Sequence, residues 1–243
     1  MAIFSLTNAS VLVGVADLTS HTNDITVDAS VVDLDATTFG SSGWVSKLAG
    51  LRSAKLDLKG FYEAGTAGLP DDQLYADVGV SGVVVTTVPQ GYTDGNVAYF
   101  GSFMPPTHKV AGKVGDILGF ETSAVADAPL IRGQLANSAT RTATGTGTAL
   151  NLGAVGATQR VYAALHVLTV SGTTPSLTVT VQSDTSSSFP SPTTVATFTA
   201  ATAATSQIVK GSVGVNSDTY YRFSWTITGT TPSFAFYGAV GIA

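Results

Sequence analysis

The sequence predicts an all-β protein with one short helix, organised as two β-rich units. Three observations predict it. Runs of alternating or β-branched residues recur along the whole chain, separated by Gly, Pro, Asn and Asp. One segment only carries helix-start chemistry. The charge balance also changes halfway. Residues 1–140 hold seven bases and fourteen acids, whereas 141–243 hold four bases and two acids. Charged residues are 11% of the 243, well under the roughly 25% usual in soluble domains. The hydrophobic share, 44%, supplies enough apolar surface to offset chain entropy, so a folded chain is expected.

The elements follow in order. In 25–31, Ile25, Val27, Ala29 and Val31 alternate with Thr26, Asp28 and Ser30, the period of a half-buried strand. Residues 55–61 alternate in the same way. Residues 82–88 are β-branched and stop at Pro89. A strand over 96–103 follows the turn Thr93-Asp94-Gly95, and another is predicted over 116–122. The helix is predicted over 70–78. Pro70 suits the first helical position, Asp71 and Asp72 suit its positive end, and Leu74 and Val78 share a face. A stretch of small polar residues, 137–145, reads as a linker between units 1–136 and 146–243. Beyond it, strands are predicted over 160–170, 176–182, 193–198, 207–213, 219–227 and 233–241, the pattern of a β-sandwich. Two near-identical segments, Ser171-Gly172-Thr173-Thr174-Pro175-Ser176 and Thr228-Gly229-Thr230-Thr231-Pro232-Ser233, read as a repeated hairpin turn.

Chemistry is sparse. No cysteine is present, which excludes disulfides, thiolate metal sites and thiol nucleophiles. His21, His108 and His166 lie far apart and lack metal-ligand spacing, so they read as separate core or surface residues. Asp33-Leu34-Asp35 lacks the glycine and glutamate of a calcium loop. No nucleophile elbow, Walker loop or dinucleotide fingerprint occurs. The expectation is a protein without catalysis, cofactor or metal. Lys47, Arg52, Lys55 and Lys59 cluster, but Asp57 and Glu63 sit among them, so a solvated or subunit-facing strand fits better than a phosphate-binding stripe. No apolar run approaches the ~20 residues of a membrane helix, and the first residues lack a secretory leader's basic and apolar regions.

Three segments carry a family resemblance. The first is Asp33-Leu34-Asp35-Ala36-Thr37-Thr38-Phe39-Gly40 with Gly50-Leu51-Arg52 and 56–63. The second is the helix-like stretch ending near Asp77. The third is 113–121 followed by Ala128-Pro129-Leu130-Ile131-Arg132-Gly133. In order and spacing, over about residues 10–135, they resemble the tail tube (major tail) proteins of long-tailed bacteriophages. The segment Gly43-Trp44-Val45-Ser46-Lys47 departs from that family by carrying little charge. The C-terminal unit resembles the accessory β-sandwich domains of phage virion proteins.

The resemblance implies a virion protein made in the host cytoplasm. Its copies form hexameric rings, and their inner sheets join edge to edge into one barrel. The rings stack into a tube that meets tail tip and terminator proteins. Genome DNA passes through the lumen without specific binding, and no membrane is involved. The loop from Asp35 to Gly50 is implied to touch the neighbouring ring through Asp35, Phe39 and Trp44, with Arg52 just beyond it pairing with a carboxylate across the interface or else with nearby Asp57 or Glu63. For Phe39 and Trp44 a core position is the alternative reading. The C-terminal unit is too large for a lumen and is expected to project outward. There Tyr220, Tyr221 and Trp225 are candidate contacts to surface glycans, or else they fill the sandwich core, since Tyr221 and Trp225 share a face with Phe223. A competing reading is a capsid decoration or tail fibre β-protein, which forms no tube.

Overall fold

A computed structural model describes residues 6–243. Apart from one α-helix and one 3₁₀ turn, the described residues are strands and connections. In chain order the elements are β1 (Ser10–Val13), β2 (Ala16–Asp17), β3 (Thr22–Asp35), β4 (Lys47–Phe61), α1 (Pro70–Ala76), β5 (Val83–Val88), β6 (Val97–Ala111), β7 (Gly119–Ala126) and β8 (Ile131–Arg141). They continue with β9 (Gly145–Thr146), β10 (Leu150–Asn151), β11 (Val161–Asp184), β12 (Thr193–Thr197), β13 (Thr205–Lys210) and β14 (Tyr220–Ile242). The strand pairings are antiparallel.

Two layers share one strand. The first layer has the order β3-β4-β7-β6. The second runs β2-β1-β5-β6-β8-β14-β11. β6 serves both because its register breaks between Met104 and Thr107. Pro105 and Pro106 occupy that break, where a missing ladder N–H is tolerated. Between the layers lie Val11, Val13, Leu56, Leu58, Val85, Phe103 and Phe120. α1 covers this core with Leu74, and Pro70 opens it as the sequence predicts. Alternation in β4 holds as read: Leu56 and Leu58 are buried, whereas Lys55 and Lys59 are exposed.

The segment expected as a linker, 137–145, is strand over 137–141. These residues complete β8 and pair with Phe234–Gly238 of β14. The small polar side chains are accommodated because the ladder satisfies their backbone groups, and Asn137 is buried with its Nδ2 donating to the Phe236 carbonyl at 2.6 Å. Arg141 donates twice to Asn137 Oδ1 and stacks 4.9 Å from the Trp225 ring.

The repeated Gly-Thr-Thr-Pro segments differ from the expected hairpin turns. β11 and β14 are each one long strand, and the two motifs face each other midway along their ladder, with Thr173 opposite Thr230 and Ser171 opposite Ser233. Gly172 and Gly229 adopt positive φ, +112° and +121°. A Cβ on Gly172 would meet the Thr231 carbonyl at 2.8 Å, and one on Gly229 would meet the Thr174 carbonyl at 2.9 Å. The motifs bend a two-stranded ribbon. Residues from both halves of each strand, Leu165 with Val179 and Phe223 with Phe236, meet in one core.

Candidate functional site

The first layer presents a charged face opposite its apolar one. Across the four strands, Asp24, Lys59, Glu121 and Lys109 stand in one row. Thr26, Asp57, Ser123 and Thr107 form the next, then Asp28, Lys55 and Val125. Lys59 and Lys109 lie 3.7 and 3.5 Å from the Glu121 carboxylate. Lys55 lies 2.9 Å from Asp57. Burial pushes the Asp57 carboxyl upward, but hydrogen bonds from Lys55 and Ser123 outweigh it and hold the group below its ordinary value. Asp24 and Asp28 have no ion-pair partner among the described residues.

Both edges of this layer are open. β3 pairs with β4 alone, and residues 107–111 of β6 pair with β7 alone, among the described residues. An open edge exposes a row of backbone donors and acceptors. β4 is covered by β7 only as far as Lys55, so the rest of the β3–β4 hairpin stands out as a two-stranded arm. An isolated two-stranded ribbon is marginal in water. This one carries exposed Val31, Val32, Leu34, Leu48 and Leu51. At its tip a 3₁₀ turn, Phe39–Ser41, and the left-handed Ser42 and Gly43 leave Phe39 fully exposed and Trp44 81% exposed. Neither ring is a core residue. At the far end of the same layer the β6–β7 turn exposes Val114, Ile117 and Leu118 beside the half-exposed Phe61.

The other predicted contacts divide. Asp35 accepts the Thr37 N–H at 2.9 Å at the arm's end, and this contact with Thr37 lowers its pKa. Arg52 stands opposite Val31 and lines a groove of about 630 Å³ with Ala54, Asp127 and Leu130, and it has no ion-pair partner among the described residues. The glycan reading of Tyr221 and Trp225 is corrected: both are buried in the ribbon core. Tyr221 donates its hydroxyl to the Asp218 carbonyl, Trp225 donates Nε1–H to the Ala143 carbonyl, and alternation turns both inward with Phe223. Tyr220 is half-buried.

Sequence reasoning missed one arrangement that resembles a catalytic array. His108 Nε2–H donates to Asp71 Oδ1 at 3.0 Å, and Thr122 Oγ1 lies 2.7 Å from Nδ1. Thr122 and the His108 ring are buried, so the hydroxyl has no route to a substrate, and the trio ties α1 to the sheet. Its spacing of 37 residues between His108 and Asp71 left no sequence signal. No group of three or more metal-ligating side chains occurs among the described residues. No helix among them is long and apolar enough to cross a membrane.

No family model and no curated protein sequence matches the chain. Solved structures do. The tail of an empty gene transfer agent particle, refined with C6 symmetry, matches at 18% identity and TM-score 0.38, over 45% of this chain and 80% of that one. The SPP1 tail tube matches at 12% identity and TM-score 0.37, over 50% of this chain and 75% of that one. SPP1 Dit, a hub adsorption protein, matches at 10% identity and TM-score 0.35, over 97% of this chain and 99% of that one.

Proposed function

We propose that the chain is a structural subunit of a phage tail tube, whose copies close into hexameric rings that stack around a lumen for DNA. The open-edged, four-stranded layer carries this reading. Its strands alternate in direction, so the free edge of β3 in one copy meets the free edge of β6 in the next as one more antiparallel pair. Closing the circle pairs both open edges of this layer. Six copies supply 24 strands. With strands about 4.8 Å apart and tilted about 36°, such a barrel is about 45 Å across its backbone, leaving room for a duplex. The charged face then lines the lumen. Four acids and three lysines per copy give it no positive excess, which suits DNA that must slide without binding.

The arm and the β6–β7 turn lie at opposite ends of the layer and both expose apolar side chains, the surfaces that stacking rings bury. Phe39 and Trp44 are the anchors. The second layer, with the β11–β14 ribbon, then faces outward. Phe39→Ala with Trp44→Ala is expected to shorten or abolish tubes in electron micrographs without lowering the melting temperature, because neither ring touches the core. Tubes of ordinary length from the double variant contradict the assignment.

A further inference from the structure

We infer that Lys109 of one copy stands against Asp28 of the next, and that this pair sets the polarity and register of the ring seam. The inference rests on the ring reading above and adds the seam's composition.

Across one copy the row Asp24, Lys59, Glu121, Lys109 alternates acid, base, acid, base. It begins with an acid on one open edge and ends with a base on the other. Joined β6 to β3, the base at one edge meets an acid at the other. Joined β3 to β3, it sets Asp24 and Asp28 against acids, and like charges directly opposite are destabilising. The seam is therefore head-to-tail.

Strand parity agrees. The Tyr62 N–H donates to the Leu118 carbonyl, which fixes the alternation of the β4–β7 ladder. Carried across the registers, Lys109 turns its backbone groups toward β7, and Asp28 turns its own toward β4. His108 and Val110 on one edge, and Val27 and Ala29 on the other, keep theirs free for the neighbour. Lys109 and Asp28 then form a non-hydrogen-bonded pair, the closer kind, with Cα atoms about 4.5 Å apart. The offset follows from barrel geometry. A tilt of about 36° corresponds to a stagger equal to the strand number. Four strands per copy give a stagger of about four residues, the step from Asp24 to Asp28.

The chain has no cysteine, so an introduced one is its sole thiol. Lys109→Cys and Asp28→Cys are purified separately, mixed and mildly oxidised. The expected result is a disulfide-linked dimer from the mixture and none from either variant alone. Lys109→Glu is expected to raise the concentration needed for assembly, read by sedimentation velocity, at least about tenfold. Asp28→Lys in the same chain restores assembly. Lys109 is exposed and its ion pair is weak, so the variant keeps its fold, checked by its melting temperature. Preferential cross-linking through Asp24→Cys, dimers from a single variant, or assembly indifferent to Lys109→Glu overturns the seam while the ring reading stands. Absence of both cross-links and any oligomer of the unsubstituted chain overturns both.

Discussion

His166 shows how one side chain joins distant parts of the molecule. It lies on β11, yet its Nδ1–H donates to the Gly14 carbonyl and its Nε2 lies 2.8 Å from Thr86 Oγ1 on β5. A carbonyl only accepts, so the proton sits on Nδ1 and the Thr86 hydroxyl donates to Nε2. Burial pushes the ring down to about 4, against the opposing pull of the Gly14 carbonyl and Asp17. Between that value and the ordinary 6.5 the unfolded chain binds the proton and the folded one does not. Stability therefore falls as pH drops through this window and is fully present above it, a loss of about 3 kcal/mol. Urea midpoints at pH 7.5 and 4.5 check this. A His166→Gln variant is expected to be less stable at pH 7.5 and to lose that part of the pH dependence, and an equal slope in both proteins contradicts the assignment. Read along the chain, His166 is a lone histidine. Its partners stand 152 and 80 residues away, brought near by strand order that no local pattern encodes.

Among the elements, the bent ribbon and the arm mark what sequence patterns reach. The Gly-Thr-Thr-Pro repeat was legible, and its glycines do adopt the backbone region that other residues avoid. That the copies face each other was not legible, because a bend and a hairpin turn use the same residues and only the distant partner distinguishes them. Gly172→Ala is expected to cost more than about 1 kcal/mol, since the left-handed backbone and the Thr231 carbonyl both oppose a Cβ. Gly40→Ala, where φ is ordinary and the nearest atom is 3.7 Å away, is expected to change stability by less than about 0.5 kcal/mol. Equal melting temperatures for the two variants refute this account of the bend. The arm's strands outrun the predicted ones: β3 continues to Asp35 and β4 begins at Lys47. Alternation fails there because residues 31–35 and 47–53 face solvent on both sides, so nothing selects a single apolar face.

At the scale of the molecule, the acid excess read from the sequence is spread over the fold and not gathered on one face. Residues 1–140 hold fourteen acids against seven bases. The fold distributes them, and the charged face holds Asp24, Asp28, Asp57 and Glu121 among Lys55, Lys59 and Lys109, an excess of one acid. The all-β class, the single helix and the two-sided β4 strand were visible because they depend on local chemistry. The shared ladder between β8 and β14 was hidden by small polar residues that read as a linker. The central claim is that open β3 and β6 edges close a ring. Electron microscopy of the purified protein at high concentration tests it most directly. The expected images are hollow sixfold rings or tubes, about 45 Å across at the inner barrel, with knobs outside. Discrete solid particles at every concentration, above all with threefold symmetry, contradict it.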